Sequence, residues 1–185
     1  IAYVVCLSKG LRAERSGILI GIFLGAIILG QLGVQYSTMT SVPVIHNIST
    51  DTLDPPTFDK LVAVREAEGA NPLAYDAEVL AEQQQEAYPD VMTLASTQST
   101  DQLFAQTLSV LQDLGIEVVN EDAAAGVIEA TETTFWFGFK DDVVVRIRDT
   151  ANGSIVDVRS VSRVGRSDLG ANAKRIRAIL RGLEG

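Results

Sequence analysis

The sequence predicts an α+β fold: a two-layer domain with an antiparallel sheet packed against helices, preceded by a transmembrane helix. Three observations carry this. Residues 17–34 are an uncharged apolar run, the stretch after residue 98 reads as helix, strands, helix, and Asn152-Gly153 sits between two strand-like runs as a tight antiparallel turn.

Gly17 to Val34 (GILIGIFLGAIILGQLGV) holds no charge and a single amide, Gln31. As a helix at 1.5 Å per residue it spans about 27 Å, close to the ~30 Å hydrocarbon core. The run lacks the apolar/polar period of a buried soluble helix, which leaves a cleaved signal peptide as the stronger rival. Against that rival, the chain opens with a second apolar piece, Ile1 to Leu7, without an initiator Met. Residues 1–7 are therefore read as the end of an earlier membrane helix of a longer chain. The connector from Ser8 to Ser16 carries Lys9, Arg12 and Arg15 against one acid, Glu14. Short basic loops stay cytoplasmic, so everything after the helix is expected on the other side of an inner membrane, in the periplasm of a Gram-negative cell. Gly17, Gly21 and Gly25 form a small-residue stripe that permits close packing, with the preceding helix of the same chain as the economical partner.

The expected divisions are 1–16, the end of an earlier helix and a basic loop; 17–36, the transmembrane helix; 37–98, an extended acidic segment packing on the domain; and 99–185, the α+β core. In 37–98, Pro43, Pro55-Pro56, Asn71-Pro72 and Pro89 punctuate a chain rich in Ser, Thr, Gln and Asp. Short helices are expected over Phe58–Glu66 and Asp76–Glu86. Ser99-Thr100-Asp101 caps a helix whose apolar positions are Leu103, Phe104, Leu108, Val110, Leu111 and Leu114, and Gly115 ends it. Strands are expected over 116–120, 127–133, 135–139 continuing into 143–148, and 155–163. Pairing across Asn152-Gly153 places Ile147 opposite Val158, Val145 opposite Ser160 and Arg148 opposite Asp157. One face is then apolar and the other carries Arg146, Arg148, Asp157 and Arg159. The last helix, Leu169 to Leu183, packs through Leu169, Ala173, Ile176, Leu180 and Leu183. Phe135, Trp136, Phe137 and Phe139 are expected as core and edge aromatics.

Charge is uneven. Residues 38–139 hold two basic residues, Lys60 and Arg65, against seventeen acidic ones, a net of −15, whereas residues 140–185 hold ten basic and six acidic ones, a net of +4. The two parts should fold against each other, and the overall net of −9 argues against nucleic acid as a partner. Cys6 is the lone cysteine and His46 the lone histidine, so no intramolecular disulfide is possible and no Cys/His spacing supports zinc. No metal and no cofactor is expected. The expected partners are the membrane and, beyond it, another membrane protein or an anionic lipid headgroup.

Several motifs fall in order: His46-Asn47-Ile48-Ser49-Thr50-Asp51, Pro55-Pro56-Thr57-Phe58, Tyr88-Pro89-Asp90, Phe137-Gly138-Phe139-Lys140-Asp141-Asp142-Val143-Val144-Val145-Arg146, and Val156 through Arg175-Ile176. Over residues 43–183 the chain resembles the domain-of-unknown-function 1499 family. The resemblance implies an envelope protein, often with membrane helices ahead of the domain. It implies no catalytic residue, because the family has no established activity.

The densest candidate site is the basic turn before the last helix. Arg159 and Arg163 share one face of a strand, Arg166 follows across Gly165, and Ser167 or Asp168 can cap the helix that carries Asn172 and Arg175. Free N–H groups at a helix start beside guanidinium groups suit a carboxylate or phosphate. The competing role is internal: Asp157, Asp168 and the acidic segment neutralise these arginines within the fold. With a −15 segment to be packed, the internal role is favoured. A second candidate is His46 with Asp51 and Asp54, a possible proton shuttle that lacks a second histidine and an identifiable nucleophile. Asp141-Asp142, adjacent on a strand and so on opposite faces, make a poor carboxylate pair and a good strand start or turn.

Two function classes follow. One is a non-catalytic, membrane-anchored envelope domain that binds a protein partner or an anionic ligand. The other is a periplasmic hydrolase or transferase using the Arg/Ser/Asp turn. The chain has no Gly-x-Ser-x-Gly elbow, phosphate-binding glycine loop or dinucleotide fingerprint, which lowers the second.

Overall fold

A computed structural model of the chain describes Val4, residues 12–135 and residues 137–184. The expectations for Cys6, Lys9 and Trp136, and for Ile1–Leu7 apart from Val4, lie outside the described residues. The chain divides into two units, 1–42 and 43–185.

The first unit holds helix α1, Arg12–Ser41. Within it Ser16–Val34 is long and apolar enough to cross a membrane, and none of that window is buried. A signal sequence passes the same test of length and composition.

The second unit is α+β. Its elements are β1 (Asn47–Ser49), α2 (Lys60–Glu68), α3 (Ala77–Ala87), β2 (Leu94–Ser96), α4 (Thr100–Asp113), β3 (Glu117–Asp122), β4 (Val127–Thr133), β5 (Lys140–Thr150), β6 (Gly153–Ser162) and α5 (Ala171–Leu183). The six strands form one antiparallel sheet in the order β1-β6-β5-β4-β3. The free edge of β6 is divided: β1 pairs with its 159–161 half and β2 with its 154–156 half. Segment 37–98 thus contributes two strands to the sheet as well as two helices. The Gln84 side chain extends the pairing outward, its Nε2 donating to Ser49 O at 2.6 Å and its Oε1 accepting from Ser49 N at 3.0 Å.

The hairpin register differs from the expected one by two residues. Ile147 pairs with Val156, Val145 with Val158 and Arg146 with Asp157, so each side chain keeps its face while changing its neighbour. The turn is centred on Ala151-Asn152, because Thr150 pairs with Gly153. Gly153 serves a different end. Its φ is +134°, and a Cβ there would lie 2.1 Å from Ser96 O, so glycine is what lets the β2 backbone approach β6.

One sheet face packs on α4 and α5. Ile48, Ile128, Val143, Val145, Val156 and Val158 meet Leu103 and Leu111 of α4 and Ile176, Ile179 and Leu183 of α5. The α4 start is the expected cap: Ser99 and Gln102 form a reciprocal capping box. Near the C-terminus the α4–α5 crossing is tight, since a Cβ on Gly182 would sit 2.7 Å from a Val110 methyl. The other face is covered by α2 and its flanking loops, where Phe58 and Leu61 pack on Val144 and Val161.

Two apolar expectations are corrected. Phe135, Phe137 and Phe139 are exposed, with Phe135 89% and Phe137 77% accessible, and all three lie outside strands, between β4 and β5. Thr134 closes this loop: its carbonyl accepts from Gly138 N at 2.9 Å, its amide donates to Phe139 O at 2.8 Å and its Oγ1 accepts from Phe139 N at 2.9 Å. Leu169 lies ahead of α5, exposed and with φ +53°, and Ile179 takes its place in the core.

Candidate functional site

The β6 alternation sorts the basic residues to two sides. Arg159 and Arg163 share the α2 side with Asp157, whereas Ser160 and Ser162 face α5. On the α2 side, Asp142 of β5 is wholly buried. It accepts from Arg65 Nη1 at 2.6 Å, Arg163 Nε at 2.9 Å and Nη2 at 2.8 Å, and Thr131 Oγ1 at 2.7 Å. Burial works to raise the Asp142 pKa, but the hydrogen bonds from Arg163, Thr131 and Arg65 outweigh it and hold the carboxyl below the usual range. The same bond to Asp142 raises the pKa of Arg163, which also reaches Glu68 at 2.7 Å. Arg65 donates in addition to the carbonyls of Val161, Asn71 and Ser162, tying α2 to the end of β6.

Arg159, earlier on β6, is buried without a carboxylate within ion-pair distance among the described residues. Its Nε donates to Asn47 Oδ1 and its Nη1 to Pro56 O, both at 3.0 Å, and its Nη2 donates to Leu73 O. The guanidinium lies 5.6 Å from the ring centroids of both Phe58 and Tyr75. Burial pushes its pKa down to about 10, which leaves it a cation at neutral pH, and pushes that of Tyr75 up to about 12.

Along the same face, buried Asp157 receives Arg146 at 3.2 Å, Arg148 at 2.8 Å, Thr50 Oγ1 at 3.1 Å and Thr93 Oγ1 at 2.6 Å. Arg146 and Arg148 continue outward to Asp51 and Asp54. Glu129 of β4, also wholly buried, accepts from the backbone N–H groups of Asp59, Lys60 and Leu61 at 2.9–3.1 Å. A strand carboxylate thus occupies the start of α2, where Asp59 makes no side-chain cap.

On the α5 side, Asp168 does for α5 what Glu129 does for α2. It accepts from Gly170 N at 2.9 Å and Asn172 N at 2.8 Å, so the N–H groups that suited an external anion meet an internal one. Burial raises the Asp168 pKa, partly offset by these two N–H groups. Arg175 reaches Asp141 at 2.7 Å, Ser160 Oγ at 2.9 Å, Asn172 Oδ1 at 2.6 Å and, on its outer side, Glu132. Asn172 Nδ2 donates to His46 O and Ser162 Oγ.

The turn from 164 to 170 borders a cavity of about 340 Å³. Asp141, Asp168, Ser162 and Ser167 line it together with Phe139 and Leu169; no guanidinium does. Ser167 Oγ donates to Pro43 O at 3.4 Å and accepts from Leu169 N at 3.3 Å. Arg166 is exposed and makes no ion pair among the described residues. The structure therefore groups Asp168, Asn172 and Arg175, sets Arg159 and Arg163 on the opposite face, and leaves Arg166 in solvent with Ser167 at the cavity. His46 and Asp51 are not joined: His46 offers its backbone carbonyl to Ser162 N and Asn172, while Asp51 belongs to the Arg146/Arg148 cluster. Among the described residues no group of three His, Cys, Asp or Glu is placed to hold a metal ion.

Four of the residues that organise these clusters lie outside the sequence-based candidates: Arg65, Glu129, Asp141 and Asp142. Two of them carry a signal. Arg65 is one of only two cations in the −15 segment, and Glu129 interrupts the apolar strand Val127-Ile128-Glu129-Ala130.

No curated protein matches the chain. The model of a family described as a protein of unknown function (DUF1499) matches residues 47–183, a span that begins at β1 and ends with α5. The motifs inside that span are the ones that build the clusters above: the β1 stretch with Asn47, the Asp141-Asp142 strand and the arginines of β6 and α5. By that match, covering most of its length, the chain belongs to the DUF1499 family.

Proposed function

We propose that the chain is a non-catalytic, membrane-anchored envelope domain, held in the inner membrane by α1 with residues 43–184 in the periplasm. On this reading it binds a protein partner or an anionic ligand through the turn before α5. The observation that carries it is the division of charge at that turn. Arg163 and Arg175 are committed to buried carboxylates and Asp168 fills the helix start, while Arg166 is offered to solvent. Committed arginines support structure; an exposed one amid apolar side chains supports binding.

The runner-up, a hydrolase or transferase, draws on Ser162 and Ser167 in the 340 Å³ cavity. Among the described residues neither serine is hydrogen-bonded to a carboxylate or an imidazole that could act as its base. The test combines two assays on the full chain. It should stay with membranes through an alkaline carbonate wash, and a fluorophosphonate probe should leave Ser162 and Ser167 unlabelled. Loss in the wash would overturn the anchor, and labelling abolished by Ser167→Ala would move the chain to the runner-up.

A further inference from the structure

We propose that the end of the domain built by the β4–β5 loop and the β6–α5 turn docks on the headgroup layer of the bilayer that α1 crosses. This rests on the membrane-anchored reading above and names the partner of the same turn. Phe135, Phe137 and Phe139 stand exposed on the loop, Val164 and Leu169 on the turn, and Val44 on the stretch beside it. Phe137 and Phe139 stack with ring centroids 5.6 Å apart. The loop is held by the three Thr134 bonds, and Val44 lies between two residues tied to the turn: Pro43 O accepts from Ser167 and Ile45 O from Asp168 N. Phe139, Val164 and Leu169 line the same cavity, so the loop and the turn share one apolar rim.

Chain length selects the bilayer as its occupant. Residues 35–41 continue α1 beyond the apolar window, and Pro43 follows Ser41 by two positions. Seven helical residues and two extended ones keep Pro43 within about 18 Å of the hydrocarbon edge, of which headgroups fill roughly 5–7 Å. Pro43 is bonded to the turn itself, so the chain length sets an upper limit on how far the turn can stand from the surface. Charge agrees. The domain is acidic and would be repelled by anionic lipid, yet the acids nearest this end, Glu132, Asp141 and Asp168, are turned into bonds with Arg175 and the α5 backbone. Arg166 remains exposed and without an ion pair among the described residues. Aromatic side chains with a basic residue among them are the composition of a membrane interface.

The only tryptophan of the chain, Trp136, falls between Phe135 and Phe137 in sequence and reports on this loop without labelling. The full chain is reconstituted in vesicles of phosphatidylethanolamine and phosphatidylglycerol, with or without acyl chains brominated near the headgroup. Bromination should remove roughly half of the Trp136 emission, the behaviour of an indole at headgroup depth. Phe137→Ser should weaken that quenching without changing retention in carbonate. A chain that stays in the vesicles with Trp136 unquenched by bromine but open to acrylamide would overturn the docking and leave the anchor standing. Protection from both quenchers would overturn it in favour of a protein covering the loop. Release by carbonate would overturn the anchor instead.

Discussion

Asp141 and Asp142, consecutive in β5, face opposite sides of the sheet, and each closes its own buried arginine cluster. Asp141 meets Arg175 of α5 and Asp142 meets Arg65 of α2 and Arg163. Two neighbouring residues therefore fasten the coverings of both faces to the same strand.

Arg163→Ala removes two of the bonds to buried Asp142 and leaves Arg65 as its one remaining cation among the described residues. A loss on the order of 3 kcal/mol is expected, the low end for breaking a buried pair because one partner remains. Arg166→Ala should stay within about 0.5 kcal/mol of wild type, as for a solvated surface residue. Urea midpoints of the two variants decide it; an unchanged midpoint for Arg163→Ala would show that Asp142 does not need it.

The Asp142 carboxyl titrates below its ordinary pKa of about 4, so its ionised form is stabilised by folding. That contribution is present above the unfolded pKa and is lost as pH falls through the folded one. Asp168, raised by burial, has the opposite sign and favours the fold as pH falls. The advantage of wild type over Asp142→Asn should therefore shrink as melts are taken from neutral pH to below about pH 4. A difference constant across that range would mean that the Asp142 charge contributes nothing.

Glu129→Ala should cost about 3 kcal/mol, because it orphans three backbone N–H groups at the start of α2. Amide exchange at Leu61 should accelerate before that of the β5–β6 hairpin. Equal acceleration of both would show that α2 does not open separately.

On the orientation proposed above, alkaline phosphatase fused after residue 185 should be active, as expected where basic residues precede an apolar span on its cytoplasmic side. A silent phosphatase at that point, with an active cytoplasmic reporter, would reverse the orientation.

Local periodicity makes most of the domain legible in the sequence: the Ser99 cap, the β5–β6 alternation and the apolar stripe of α5 are each set by residues within a few positions of one another. Contacts between distant segments lie beyond local pattern. Gly153 has the sequence context of a turn glycine, and its role depends on Ser96, far away in the chain. Gln84 belongs to a polar run, yet it pairs with Ser49. Phe135 to Phe139 have the residue types of a core, because nothing local says that a loop will carry them outward. For the candidate site, the sequence identifies Arg159, Arg163 and Arg175 as charges needing partners. Which partners they find, Asp141, Asp142 and Glu132 among them, is a matter of register.

The shared edge of β6 has a consequence for synthesis. β1 and β2 leave the ribosome well before the strand they pair with, which is the last in chain order among the described residues. Until residue 162 is available, the segment from 47 to 96 has no backbone to join; only the β3–β4–β5 meander can assemble ahead of it. Such long-range closure makes folding slow and late. If the domain is exported as proposed, that order keeps it threadable until almost all of it has passed.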